Sequence, residues 1–295
     1  RELLARWHPR AGSCMLRCMQ EPRAFWQEIH GLFNPAIPAQ HDNWRADRPY
    51  SPRQAIVHAL QRPIGSTRFL LMGTTGTGKT TELLAIGEAL TRTHLVVYLD
   101  LWAHFEAIRD PAALQRLQAW EVVTLTGLAL LRAAQDRFGH KWSPAALKAF
   151  KQALASLTSD RSSPSAEIDL FKLASNVATL VGGAVGGPVA AGLTVLTGLA
   201  GDAGSWSLRL GEREQPPTSE SDQRVHHLLD SVNLLLAEIQ IGFACKVAVL
   251  IDGLDRVTDL DTTRRLFVES ALLGSLESTT IVIGPIRHKL MAAQV

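Results

Sequence analysis

The sequence is short of cysteine, of net charge and of any segment that would export it. Three cysteines (Cys14, Cys18 and Cys245) in 295 residues cannot build the disulfide framework of a secreted domain, and a reducing compartment, hence a cytoplasmic location, is the simplest reading. Cys14 and Cys18 have no second cysteine pair, and His8 and His30 do not stand at zinc-site spacing, which argues against a metal there. A net charge of +2 is too near zero to specify nucleic acid or a strongly anionic partner. No apolar run at the start is long enough for a signal peptide. The first residue is Arg1 rather than Met, as expected of a fragment or a processed product. There is no internal repeat and no signature of a phosphate-acceptor substrate.

What is present is the composition of a folded chain, 46% apolar and 20% charged, long enough for one large domain or two small ones. Residues 1–50 read as an irregular lead-in, with one short amphipathic helix over Phe25, Trp26, Ile29 and Phe33. Ser51-Pro52 opens a helix with apolar positions Ile56, Val57 and Leu60, ended by Pro63 and Gly65. Arg68–Met72 is a short apolar strand, a helix follows with Leu83, Ile86 and Leu90 on one face, and His94–Asp100 is a second buried strand. This strand–loop–helix–strand order predicts a parallel sheet covered by helices.

Residues 111–158 read as helical, with one stretch from Pro111 to Phe138 and a second helix opened at Ser143-Pro144. A Ser-rich loop is expected over 159–166. From Leu173 to Gly201 there is no charged residue and seven are glycine. That segment has three readings: a soluble, closely packed helical hairpin or a partner-binding insertion, a membrane-touching insertion with small-xxx-small spacing, or a flexible disordered loop. After a polar break at Gly211–Ser221, Val225, Leu228, Leu229, Val232, Leu235, Leu236 and Ile239 follow the helical period. Lys246–Ile251 is a third buried strand, a short helix is expected over Thr262–Leu273, and Thr279–Ile283 is a fourth strand.

One octapeptide carries the chemistry. Gly73-Thr74-Thr75-Gly76-Thr77-Gly78-Lys79-Thr80 matches G-x-x-x-x-G-K-[ST] at every fixed position. Glycines let such a loop bend its N–H groups toward one anion, and the following helix adds its positive end. Lys79 can reach the β- and γ-phosphates of ATP, and Thr80 can place its hydroxyl on Mg²⁺. The third strand delivers Asp252 at its carboxyl end, the expected Mg²⁺ carboxylate, with Asp100 as its rival at the end of the second strand. Asp255 is either a second acid that orients water or a helix cap, and Arg256 could pair with either Asp252 or Asp255. Arg287, after the fourth strand, could reach the γ-phosphate or be an ordinary solvated arginine, with His288 and Lys289 weaker candidates.

These residues resemble a known group. GTTGTGKTTEL (73–83), which includes Thr81, is similar to the nucleotide loop of AAA+-related and STAND-type ATPases, and VAVLIDGLDR (247–256) resembles the Walker B strand of STAND NTPases, especially the NACHT and KAP groups. Gly284-Pro-Ile-Arg287 stands where those families carry a sensor. The likeness covers roughly residues 50–110 and 220–290. It implies an α/β P-loop NTPase fold, a three-layer sandwich with a mainly parallel sheet and a helical, glycine-rich insertion. The implied division is lead-in 1–50, first core part 51–110, insertion 111–220 and second core part 221–295, with a lid beyond Val295. It implies further an ATPase switch, in signalling or defence, with ATP and Mg²⁺ as ligands and a protein partner or self-association as output. Gly73 through Thr81 carry over as nucleotide contacts, Thr80 and Asp252 as metal ligands, and Asp255 as the second acid. Gly253 and Arg256 replace the glutamates those families place after their acids, so hydrolysis is expected to be slow. A membrane-associated KAP-like effector acting through 173–201, or a nucleotide-dependent scaffold with little turnover, is the alternative.

Overall fold

Four apolar runs become the four parallel strands that carry the fold. The computed structural model describes residues 51–61, 67–107, 110–158, 179–182 and 223–285. β1 is Arg68–Met72, β2 His94–Asp100, β4 Lys246–Asp252 and β5 Thr279–Gly284, while β3, Thr179–Gly182, is short. They form one sheet in the order β1-β5-β4-β2-β3, with β1, β5, β4 and β2 mutually parallel and β3 antiparallel on the β2 edge. In β2, β4 and β5 the near-continuous apolar runs follow from burial on both faces, which removes the polar alternation of a half-wet strand, whereas β1 is only half-buried.

Alternate residues of the strands feed two cores. Leu95, Val97, Leu99, Val247, Val249, Ile251 and Val282 face one helical layer. Val96, Tyr98, Ala248, Leu250, Ile281 and Ile283 face the other. The second layer holds α1 (Pro52–Gln61) and α2 (Lys79–Leu90). Ser51 caps α1 as its sequence predicts, accepting the Arg53 N–H at 3.2 Å, and Ile56 and Leu60 are buried with Leu83, Ile86 and Leu90 of α2. α2 lies over β2, β4 and β5.

The first layer holds α4 (Ala119–Phe138), α5 (Pro144–Thr158) and α6 (Gln223–Phe243). All seven periodic apolar positions of α6 are buried. Buried residues run without gap from Ala119 to Leu131 in α4, which packs against β2 and against α6, while α6 also meets β4. The segment read as an insertion thus places α4 and α5 in the same core as α6 and the sheet. The described residues all belong to one compact unit.

Three local expectations need correction. The helix expected from Pro111 to Phe138 is broken. Pro111–Arg116 is a 3₁₀ turn capped by Asp110, Leu117 is extended, and α4 starts at Ala119 after its N-cap Gln118, whose N–H donates to Glu121 Oε2 at 2.8 Å. The helix expected over Thr262–Leu273 is the short α7, Leu260–Arg264, running into a π turn at Arg265–Glu269, with a separate 3₁₀ turn at Leu273–Ser275. Inside the glycine-rich segment, 179–182 is a strand rather than a helix, because the open β2 edge offers unpaired backbone groups. The remainder of 173–201, the lead-in 1–50, the Ser-rich loop 159–166 and the polar break 211–221 lie outside the described residues, and among those described no helix is long and apolar enough to cross a membrane.

Candidate functional site

The site lies at the carboxyl ends of β1, β2 and β4, where parallel α/β sheets place ligands. β1 ends at Met72 and the chain enters the Gly73–Gly78 loop before α2 begins at Lys79. The loop is drawn in by Thr77, whose hydroxyl donates to the Thr74 carbonyl at 2.8 Å. Gly78 is the N-cap of α2 with φ of 77°, a left-handed conformation that a side chain would strain, and its carbonyl accepts the Glu82 N–H. Glu82 in turn accepts a 2.7 Å hydrogen bond from the Ser51 hydroxyl, tying the start of α1 to the first turn of α2. Thr74, Thr75, Gly76 and Thr77 are exposed, and Gly73, Thr80 and Thr81 are half-buried.

Lys79 does not point into solvent. Its ammonium donates to the carbonyls of Gly73 at 3.0 Å and Thr74 at 2.9 Å, and it pairs with Asp255 Oδ2 at 2.8 Å. An ammonium has three donors, so these partners match its capacity. Asp255 belongs to the 3₁₀ turn Leu254–Arg256, whose N-cap is Gly253. The capping role considered for Asp255 is therefore not the one it takes. Arg256 pairs with neither aspartate by contact, since its guanidinium lies 4.3 Å from the centroid of the Trp102 ring. Gln115 fastens the same stretch. Its amide nitrogen donates to the Arg256 carbonyl, its side-chain oxygen accepts from Thr258 and Asp259 N–H groups, and its carbonyl accepts from the Thr262 hydroxyl.

Asp252 is the last residue of β4 and is buried. Its Oδ2 accepts the Tyr98 hydroxyl at 2.7 Å and its Oδ1 accepts the Gly253 N–H at 2.6 Å. Gly253 has φ of 89°, and a Cβ there would stand 2.7 Å from the Trp102 amide nitrogen, so only glycine lets the chain leave β4 beside α3 (Leu101–Ala107). Asp100, opposite Asp252 in register, caps α3 instead, its Oδ1 accepting the Ala103 N–H at 2.9 Å. Burial raises the Asp100 carboxyl above its ordinary range, the neighbouring Asp252 adds to this, and the Ala103 N–H opposes it. Burial, then the Asp252 and Asp100 carboxylates, push the Tyr98 hydroxyl far above its ordinary value, so it remains a donor.

The structure thus brings Lys79, Asp255, Asp252 and Asp100 to one end of the sheet. Arg287, His288 and Lys289 lie outside the described residues. Sequence reasoning missed Tyr98, Trp102 and Gln115. Tyr98 had a usable signal, because a phenol inside a buried strand needs a partner for its hydroxyl. Among the described residues no group of three or more His, Cys, Asp or Glu is placed to hold a metal by itself. Comparison with protein-family models, with curated proteins and with solved structures finds no match.

Proposed function

We propose that this chain is a P-loop ATP-binding module that holds Mg-ATP on Gly73–Thr80 and acts as a regulatory switch with slow turnover, in the manner of the STAND and AAA+ ATPases. The observation that carries the reading is the convergence of two sequence-distant motifs. The Lys79 ammonium at the start of α2 meets Asp255, just past the end of β4, at 2.8 Å. A carboxylate in that position shows the ammonium can take an anionic oxygen there, which is what a β- or γ-phosphate offers.

The residues also suit the cation. Mg²⁺ takes one or two carboxylates and completes its shell with phosphate and water. Asp252 fits that demand, because each of its oxygens accepts one hydrogen bond and keeps a second lone pair. Thr80, in the first turn of α2, is the second candidate ligand. When bound, the cation would offset the negative charge of the phosphate oxygens. In this reading the loop N–H groups and Lys79 orient the phosphates, while Asp255, once released from Lys79, is the acid available to orient water. The residues directly after Asp252 and Asp255 are Gly253 and Arg256 rather than glutamate, which supports slow hydrolysis.

The test is ATP affinity of the Lys79→Ala variant by calorimetry. The expected result is a loss of at least about tenfold, the value of one charge-assisted hydrogen bond. Wild-type affinity in that variant overturns the reading. Phosphate release at saturating ATP then separates a slow ATPase from a scaffold without turnover.

A further inference from the structure

We propose that Tyr98 is a positioning residue for the Asp252 carboxylate, setting the geometry in which that carboxylate meets the divalent cation of a bound nucleotide. The inference rests on the Mg-ATP reading above. It starts from sheet register. Tyr98 on β2 stands opposite Leu250 on β4, so Asp252 is the diagonal neighbour on the same face, within reach of a long aromatic side chain. The ring is buried in the core beneath α1 and α2, and the hydroxyl donates to Asp252 Oδ2 at 2.7 Å. The Gly253 N–H holds the other oxygen at 2.6 Å. With both oxygens engaged, the carboxylate plane is fixed and one lone pair per oxygen remains.

The choice of donor matters. A lysine or arginine at this position would neutralise Asp252 and compete with a metal for it. A phenol orients the carboxylate and leaves its charge intact. Asp100 stands opposite Asp252 in register but is turned to cap α3, its Oδ1 accepting the Ala103 N–H, so the phenol and the Gly253 N–H are the groups that hold Asp252. Groups that orient a metal-binding carboxylate in this way are typically worth about 10- to 100-fold in metal affinity.

Tyr98→Phe removes only the hydroxyl and keeps the packed ring. ATP binding to the full chain is measured by calorimetry in EDTA and across a Mg²⁺ titration. The expected result is an affinity in EDTA within about twofold of wild type, with the Mg²⁺ concentration for half-maximal enhancement raised about tenfold. An unchanged Mg²⁺ dependence, or an equal loss in both media, overturns the assignment.

A second measurement needs no change at Tyr98. The chain has two tyrosines, Tyr50 and Tyr98, so 3-fluorotyrosine labelling gives two fluorine resonances, assigned with Tyr50→Phe. The Tyr98 resonance is expected to shift more with Mg-ATP than with ATP in EDTA, and equal shifts count against the proposal. Failure of the parent reading is distinguishable, because it appears as wild-type ATP affinity in Lys79→Ala whatever happens at Tyr98.

Discussion

The ion pair between Lys79 and Asp255 makes a prediction of unusual sign, in which removing an acid from the site improves binding. In the structure the Lys79 ammonium has three oxygen partners, and only Asp255 is a side chain that can leave without unwinding the loop. If Lys79 binds phosphate as proposed, a phosphate oxygen has to displace the carboxylate. Hydrogen bonds to charged groups contribute about 1.5–3 kcal/mol. The side chains are 9% and 20% exposed, so solvent screening reduces this to roughly 1–2 kcal/mol. In Asp255→Asn the amide oxygen still accepts a weaker hydrogen bond, which returns part of that energy. The net gain for phosphate is then about 1 kcal/mol, close to fivefold in affinity, and Asp255→Ala should approach tenfold. The assay is calorimetric titration with ATP in EDTA, where no cation can offset the lost charge, at low and high salt; the gain should shrink as salt screens the pair. The double variant with Lys79→Ala should show no gain, because the competitor no longer has a target. Equal or weaker ATP binding by Asp255→Asn in EDTA would refute the reasoning and make Asp255 a direct ligand rather than a competitor.

Glu238 predicts an acid-sensitive seam between α5 and α6. Burial raises its carboxyl, but the Ser143 hydroxyl, the Ser143 N–H and His140 outweigh this and hold it below its ordinary 4.5; a depressed value stabilises the fold above 4.5 and is lost as pH falls through the lowered value. Glu238→Gln should cost about 1 kcal/mol at neutral pH, and the gap to wild type in urea midpoint should close below pH 4.5. Gly253→Ala should cost about 1–3 kcal/mol in thermal unfolding, from its positive φ and the clash with the Trp102 amide; wild-type stability would show that the turn relaxes freely.

β2, β4 and β5 were legible because both faces are covered, so each reads as one apolar run without a competing period; the half-buried β1 was legible from its short apolar run before the glycine loop. α6 was legible for the opposite reason, since its polar face keeps a clean helical spacing. The break before α4 was not. Every residue from Pro111 to Phe138 tolerates a helix, and the interruption at Leu117 depends on Asp110 and Gln118 capping two separate segments. β3 was hidden because an apolar glycine-rich run suits strand or helix, and what selects the strand is the distant β2 edge. The same division holds in the site. The Gly73–Thr80 loop is contiguous and readable by spacing. Tyr98 and Gln115 join it only through strand register and chain crossings that no local pattern encodes.

The charges of the site suggest why nucleotide and cation would have to arrive together. Asp100 and Asp252 stand opposite each other at the ends of β2 and β4, and Asp255 follows three residues on. If a triphosphate takes Lys79, Asp255 is left as an unpaired acid beside an anion, at a cost that grows as water is excluded. A divalent cation on Asp252 offsets that cost, which couples Mg²⁺ affinity to ATP affinity through charge alone. Asp255 cannot move independently. Arg256 rests on Trp102 in α3, and Gln115 grips residues 256–259 from the 3₁₀ turn that precedes α4. Release of Asp255 would therefore strain two contacts leading into the helical layer, and a γ-phosphate at Lys79 would be felt at α3 and α4. Hydrogen exchange at Ala103 and Ala113, whose amides are held by Asp100 and Asp110, should then accelerate both in Asp255→Asn and on adding Mg-ATP to the wild type. Exchange unaffected by both would mean that the loop moves alone and that no signal leaves the site by this route.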